Sequence, residues 1–199
     1  REIENKNSSK IIKRNVILRE LMPNQDYLIT PTDEYLKFTD GLEKKQYKVR
    51  VDDNGYIVGQ HNISHPDENV DIIFFGGSTT ECMFVDEKFR FPHYTSILLS
   101  NELKKNIITL NAGVSGNHSL HSLISLIAKG IENKPKFAVL MNAGNDAGMI
   151  SKTLSYWKAP ITRKIIQEQE LGINQNNQLT LKESFFKTLF LLSKFMKDF

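Results

Sequence analysis

The chain has a single cysteine, Cys82, in 199 residues. One thiol excludes an intrachain disulfide and any cysteine-based zinc cluster. It leaves the compartment open, because a protein without disulfides tolerates either redox environment. No run approaches the ~18 apolar residues that a membrane-spanning helix needs, and no stretch of this sequence is expected to act as a signal peptide. Charge of one sign is also scarce. A net charge of +3, with 25% charged residues and no dense Lys/Arg face, argues against a nucleic-acid partner. The most basic region, residues 6–19 with Lys6, Lys10, Lys13, Arg14 and Arg19, is diluted by polar residues and reads as a solvated or membrane-proximal arm. No histidine occurs after His121.

With 40% hydrophobic residues the chain can bury one substantial core, with an appended segment. Arg1 in place of Met, and Phe199 inside a helical pattern, create the expectation of a segment cut at both ends. Residues 1–69 read as an N-terminal extension, polar and frayed at first. Two short alternating runs follow, Tyr47-Val49-Val51 and Tyr56-Val58, around Asp53-Asn54-Gly55. The Asn-Gly pair supplies the positive φ of a hairpin turn.

From residue 70 to 199 the pattern becomes strand, helix, strand, helix, strand. The strands are "VDIIFFG" (70–76), "NIITLNAG" (106–113) and "KFAVLMNAG" (136–144). Pro92 predicts the first turn of a helix running to about Lys105, with Tyr94, Ile97 and Leu98 on one side. Leu120, Leu123, Ile124, Ile127 and Ile131 form an apolar stripe that predicts a second helix over 119–132. A polar loop and Trp157 fall within 151–180. A last helix is expected over 181–199, with Phe185, Leu189, Leu192, Phe195, Met196 and Phe199 inward as core or interface. Continuous apolar strands alternating with amphipathic helices predict an α/β fold with a parallel sheet covered on both faces.

Each strand ends in a small, polar, glycine-containing loop: "GGSTTE" (76–81), "NAGVSGNHS" (111–119) and "NAGNDAG" (142–148). In an open parallel sheet the carboxyl ends of neighbouring strands share one rim, where ligands bind. The loops are therefore expected to converge. Ser78 follows two glycines that permit a tight strand-to-helix turn and leave its hydroxyl unshielded. The Ser78 N–H, the Gly116 N–H and the Asn145 carboxamide would then surround that hydroxyl as an oxyanion hole.

These blocks resemble those of the SGNH (GDSL-type) hydrolases, named for Ser, Gly, Asn and His in separate motifs. "FFGGSTTE" is similar to the first block in its Gly-Gly-Ser-Thr-Thr variant, with Gly77 where the family's Gly-Asp-Ser has Asp. "NAGVSGN" maps the oxyanion glycine onto Gly116, and "GND" at 144–146 maps the asparagine onto Asn145. The resemblance covers about residues 70–150, and three blocks in order are more specific than any one alone. It implies a three-layer α/β/α, flavodoxin-like fold, without metal or organic cofactor. Ser78 would be the nucleophile, and Ser78, Gly116 and Asn145 would hold the oxyanion. The sequence departs from the family at the fifth block, Asp-x-x-His, which supplies the base. The expectation is that the 70–199 domain is C-terminally incomplete.

Other readings stay open. Gly-Gly-Ser-Thr-Thr alone fits a strand-helix turn with a capping serine. A phosphate cradle lacks the Walker lysine and Gly-x-Gly-x-x-Gly. Asn145-Asp146 fits an Asx turn, with Asp146 structural. His118 and His121 could substitute for the missing base, but their place at a helix start favours capping or exposure. His93, beside Pro92, is expected at a helix N-terminus and solvated. His61 and His65 have no metal-like partners, and Cys82 reads as a buried small side chain. The leading expectation is a serine esterase or O-acyltransferase acting on a small-molecule or glycan acyl ester. The N-terminal extension and trimmed start fit a bacterial cell envelope protein with any membrane anchor outside this segment, a cytoplasmic location staying open. Family analogy makes carbohydrate-linked acetyl groups the expected substrate class. The contrasting expectations are an inactive module of the same fold that binds a glycan or protein, and a nucleotide-binding doubly wound domain.

Overall fold

The computed structural model describes residues 18–59 and 70–156. The expected helix over 181–199, most of the 151–180 loop with Trp157, and His61 and His65 lie outside the described residues. Chain contacts group Arg1–Gln167 into one compact unit and Glu168–Phe199 into another. Every described residue belongs to the first.

The extension supplies Asp26–Ile29 (β1), a short helix Asp33–Phe38 (α1) capped by the Thr32 hydroxyl, and Tyr47–Arg50 (β2). The alternation at 47–51 holds, since Tyr47, Val49 and Val51 are buried. Its main partner, however, is β1, paired antiparallel from Asp26–Arg50 to Ile29–Tyr47. The expected turn forms at 52–56, with Gly55 at φ +79. The Asp52 carboxylate organises it by accepting from the Asn54 and Tyr56 N–H groups, an Asx-type arrangement. Beyond the turn the hairpin is reduced to a bridge between Val51 and Ile57. Ile57 also bridges Asn111, donating to its carbonyl at 2.8 Å, which seats the extension beside the main sheet.

That sheet is mixed with helices and fully parallel. Ile72–Gly76 (β3) lies between Thr109–Gly113 (β4) and Phe137–Met141 (β5). Gly76 is level with both Gly113 and Met141, so the three strands end together. Burial of Phe74 as well as Ile73 and Phe75 covers β3 on both sides, as its continuous apolar run predicts. β5 departs from the expected cover: Phe137, Leu140 and Met141 are exposed among the described residues. Ser78–Glu81 (α2) and Phe91–Leu103 (α3) follow β3, Ser119–Ser125 (α4) follows β4, and Ala143–Thr153 (α5) follows β5.

Pro92 starts α3 as expected, but the buried face is Pro92, His93 and Ser96, while Tyr94 and Leu98 are exposed. His93 is buried, contrary to the solvated position expected. Small Ser96 and the bond from the Thr109 hydroxyl to the Pro92 carbonyl at 2.8 Å bring this face against β4. The His93 ring fills the space a side chain on Gly59 would take.

The reversal is greater after α4, which continues through a π turn, Leu126–Gly130, and a 3₁₀ turn, Ile131–Asn133. Leu123, Ile127 and Ile131 of the expected stripe are exposed, whereas His121, Ser122, Ser125, Lys129 and Gly130 are buried. Small residues allow close approach here: a Cβ on Gly130 would lie 3.0 Å from the Phe75 ring. Lys129 is drawn inward by Glu20 at 2.8 Å and by the Asn54 and Gly55 carbonyls. An apolar stripe in sequence does not reveal such distant polar partners.

Candidate functional site

The first loop is shaped by packing more than by backbone freedom. A Cβ on Gly76 would overlap Thr80 Oγ1, and one on Gly77 would overlap Asn145 Nδ2. Ser78 opens α2, so its N–H is among the first-turn amides that have no acceptor within the helix. Its side chain is exposed. Three residues on, Glu81 is fully buried and accepts from both the Ser115 N–H, at 2.7 Å, and the Ser115 hydroxyl. Cys82 ends α2 at φ 51 and donates to the Thr79 carbonyl at 3.0 Å. Burial pushes its thiol pKa up, with the Phe91 N–H and Arg90 opposing. It is a buried, protonated side chain, as expected.

The second loop packs tightly on α2, since a Cβ on Gly113 would overlap the Thr80–Glu81 backbone. Val114 N–H donates to the Gly76 carbonyl at 3.0 Å, and Asn117 N–H closes a turn onto the Val114 carbonyl at 2.9 Å. Gly116 sits in that turn at φ +81. Arg19, from the extension, donates to the Ser115 carbonyl at 2.9 Å and to the Gly116 carbonyl at 3.3 Å.

The third loop joins the second through asparagines. Asn142 Nδ2 and Asn145 Nδ2 both donate to the Asn117 carbonyl, at 3.0 and 2.7 Å. Asp146 accepts from the Ser119 N–H at 2.8 Å, from the Ser119 hydroxyl, and from the Tyr156 hydroxyl. Asp146 thus ties the start of α4 to α5 and is structural, in line with the reading from sequence.

The structure therefore sets the Asn145 carboxamide against Gly77, next to Ser78, and against Asn117, next to Gly116. Asn145 donates one hydrogen to Asn117, and its amide has a second. His118 and His121 are both buried and form a reciprocal cap on α4. The His118 imidazole accepts from the His121 N–H, and His121 Nδ1 accepts from the His118 N–H at 3.1 Å. Of the two expected readings, capping holds and surface exposure is corrected, because both imidazoles are buried.

Sequence reasoning missed Glu81, Arg19, Asn117 and Asn142. Glu81 had a local signal, standing one helical turn after Ser78 within the same glycine-rich stretch. Arg19 had none, being about a hundred residues from its partners. Two surface hollows are lined without Ser78, one by Gln46, Lys48 and Asp86–Lys88, the other by Ile57–Gly59, Arg90, Pro92, His93, Thr109 and Asn111. No protein-family model, no curated protein and no solved structure matches the chain.

Proposed function

We propose that this chain carries an SGNH-type module, a serine esterase, acyl hydrolase or O-acyltransferase for small acyl esters, carbohydrate-linked acetyl groups included. The single observation that carries the reading is the packing of Asn145 on Gly77, which brings the first and third motifs side by side, with Asn117 joining the second. Strand order β4-β3-β5 supports the flavodoxin-like form: the β3-to-β4 and β4-to-β5 crossovers run in opposite directions across the sheet, and right-handedness then sets α3 and α4 on opposite faces. The sheet's reversal point then lies between β3 and β5, where Ser78 and Asn145 emerge.

In this reading the Ser78 hydroxyl attacks the ester carbonyl, whose oxygen gains negative charge. The Ser78 N–H, the Gly116 N–H and the free Asn145 amide hydrogen receive that charge. Each pre-organised donor contributes roughly 3–4 kcal/mol to the transition state. Collapse expels the alcohol and leaves an acyl-serine, which passes to water in a hydrolase or to a sugar hydroxyl in a transferase. The serine proton needs a base. The family draws it from Asp-x-x-His, and His118 and His121 are already engaged as caps.

That engagement favours one second reading, an inactive module of the same fold that binds a glycan or a protein. Acetyl-ester hydrolysis by the complete gene product, beside its Ser78→Ala variant, separates the two. Turnover lost in Ser78→Ala supports the enzyme. Turnover that survives the substitution rejects Ser78, and absence of turnover with retained glycan binding supports the module.

A further inference from the structure

The orientation of one peptide decides whether Gly116 can serve as a donor. The Ser115–Gly116 peptide is the centre of the four-residue turn from Val114 to Asn117. With φ +81 at its third position, the turn has type II character. A type I turn differs by a half-rotation of that same central peptide, and glycine accepts either form. In a trans peptide the carbonyl and N–H point in opposite directions. A flip would therefore replace the Gly116 N–H with the Ser115 carbonyl.

Partners throughout the turn fix its other groups. Val114 N–H goes to Gly76, Val114 C=O receives Asn117 N–H, and Ser115 N–H goes to Glu81. The Asn117 carbonyl receives Asn142 and Asn145. Only the central peptide depends on the extension. Arg19 Nη2 holds the Ser115 carbonyl at 2.9 Å, and Nη1 holds the Gly116 carbonyl at 3.3 Å. With Ser115 C=O drawn to Arg19, the Gly116 N–H faces the other way. Among the described residues it is the one backbone polar group of this turn without a hydrogen-bond partner.

Arg19 is itself anchored. Its carbonyl accepts from Asn117 Nδ2 at 3.3 Å. Two residues later, Leu21 enters an apolar cluster with Tyr27, Val49 and Val51, against which Met83, Phe84 and Val114 pack. Met83 and Phe84 follow α2 and Val114 opens the turn, so one cluster carries both the arginine and the loops.

We propose that Arg19 is a positioning residue that locks the Ser115–Gly116 peptide in the donor orientation, making the N-terminal extension part of the site. Its catalytic meaning rests on the acyl-transfer reading; the peptide orientation does not. Arg19→Met keeps an apolar stem and removes both donors, while Arg19→Lys keeps one. The backbone bond from Asn117 survives in either variant.

Two measurements on the complete gene product test this: crystal structures of the variants, and acetyl-ester kinetics. In Arg19→Met the Ser115–Gly116 peptide is expected to turn over. The expected fall in kcat is about 100-fold, the scale of one lost oxyanion donor, with KM changed less than about twofold. Arg19→Lys should keep the orientation and most of kcat. A type II peptide retained in Arg19→Met, or a change in KM alone, overturns the proposal. Should the wild type prove inactive, the acyl-transfer reading fails, and the peptide orientation alone decides the role of Arg19. Should Arg19→Met not fold, Arg19→Gln, too short to span both carbonyls, is read by the same criteria.

Discussion

Asn145 occupies the volume that a side chain on residue 77 would need, and its amide nitrogen then donates to the Asn117 carbonyl at 2.7 Å. Gly77 therefore leaves room for a residue 68 positions away in the sequence, and a side chain there would push the Asn145 amide off its bond to Asn117. The Asp that the SGNH family usually places before its serine would collide with Asn145 here.

Gly77→Ala should destabilise the protein by roughly 1–3 kcal/mol, the range for overpacking a filled site. Gly77→Asp should cost more. Adding Asn145→Ala should recover part of the loss, giving a coupling energy of about 1 kcal/mol in a double-mutant cycle read by urea unfolding. Strict additivity would show that the two residues do not meet.

Glu81 ties the helix bearing Ser78 to the second loop through a single carboxylate oxygen. Glu81→Ala leaves the Ser115 amide without its acceptor and opens a cavity, a loss of about 3 kcal/mol. Ser115→Ala removes only the hydroxyl bond and should cost about 1 kcal/mol. Chemical denaturation of both variants checks the ranking; equal costs would contradict the account.

Lys129 is a buried cation paired with Glu20 and two carbonyls, and its ammonium lies 4.2 Å from the Tyr56 ring centre. Breaking a buried pair from one side leaves the other charge uncompensated. Lys129→Met should therefore destabilise by roughly 3 kcal/mol. Pairing it with Glu20→Leu should regain a substantial part. A single variant as stable as wild type would show that burial of Lys129 carries no energetic weight.

Asp71 links the start of β3 to β4 and β5. Burial alone would raise its carboxyl pKa, but Lys136 at 2.6 Å and the Ile108 N–H outweigh burial and hold it below the ordinary value of 3.8. A folded pKa below the unfolded one means the stabilisation is complete above about pH 4. It is lost as pH falls through the folded value. Urea midpoints measured from pH 7 to pH 2.5 should fall more steeply for wild type than for Asp71→Asn at the acid end. Parallel curves would exclude this contribution.

The strands β3 and β4 were legible because burial on both faces forces continuous apolar runs, as at Ile73–Phe75; β5 reads the same way in sequence although most of its side chains are exposed. Pro92 marked the start of α3 through its fixed φ. The inward faces of α3 and α4 were not legible. His93, Ser96, Ser122 and Lys129 are buried through partners on other elements, and hydrophobic periodicity carries no trace of those partners. β1 escaped notice because Asp26–Ile29 is four residues long and gains its identity only by pairing with β2. In the loops, Ser78, Gly116 and Asn145 stood out by residue type, whereas Asn117 and Asn142 did not. The groups that hold them in place, Glu81 and Arg19, became apparent only once distant residues were brought together.

The most direct test of the site is covalent. A fluorophosphonate probe, followed by peptide mass spectrometry and a crystal structure of the adduct, reports both the nucleophile and its surroundings. The account predicts phosphorus on Ser78 Oγ, no labelling of Ser78→Ala, and a phosphoryl oxygen accepting from the Gly116 N–H and Asn145 Nδ2. An adduct on another residue, or a phosphoryl oxygen turned away from both donors, would contradict it.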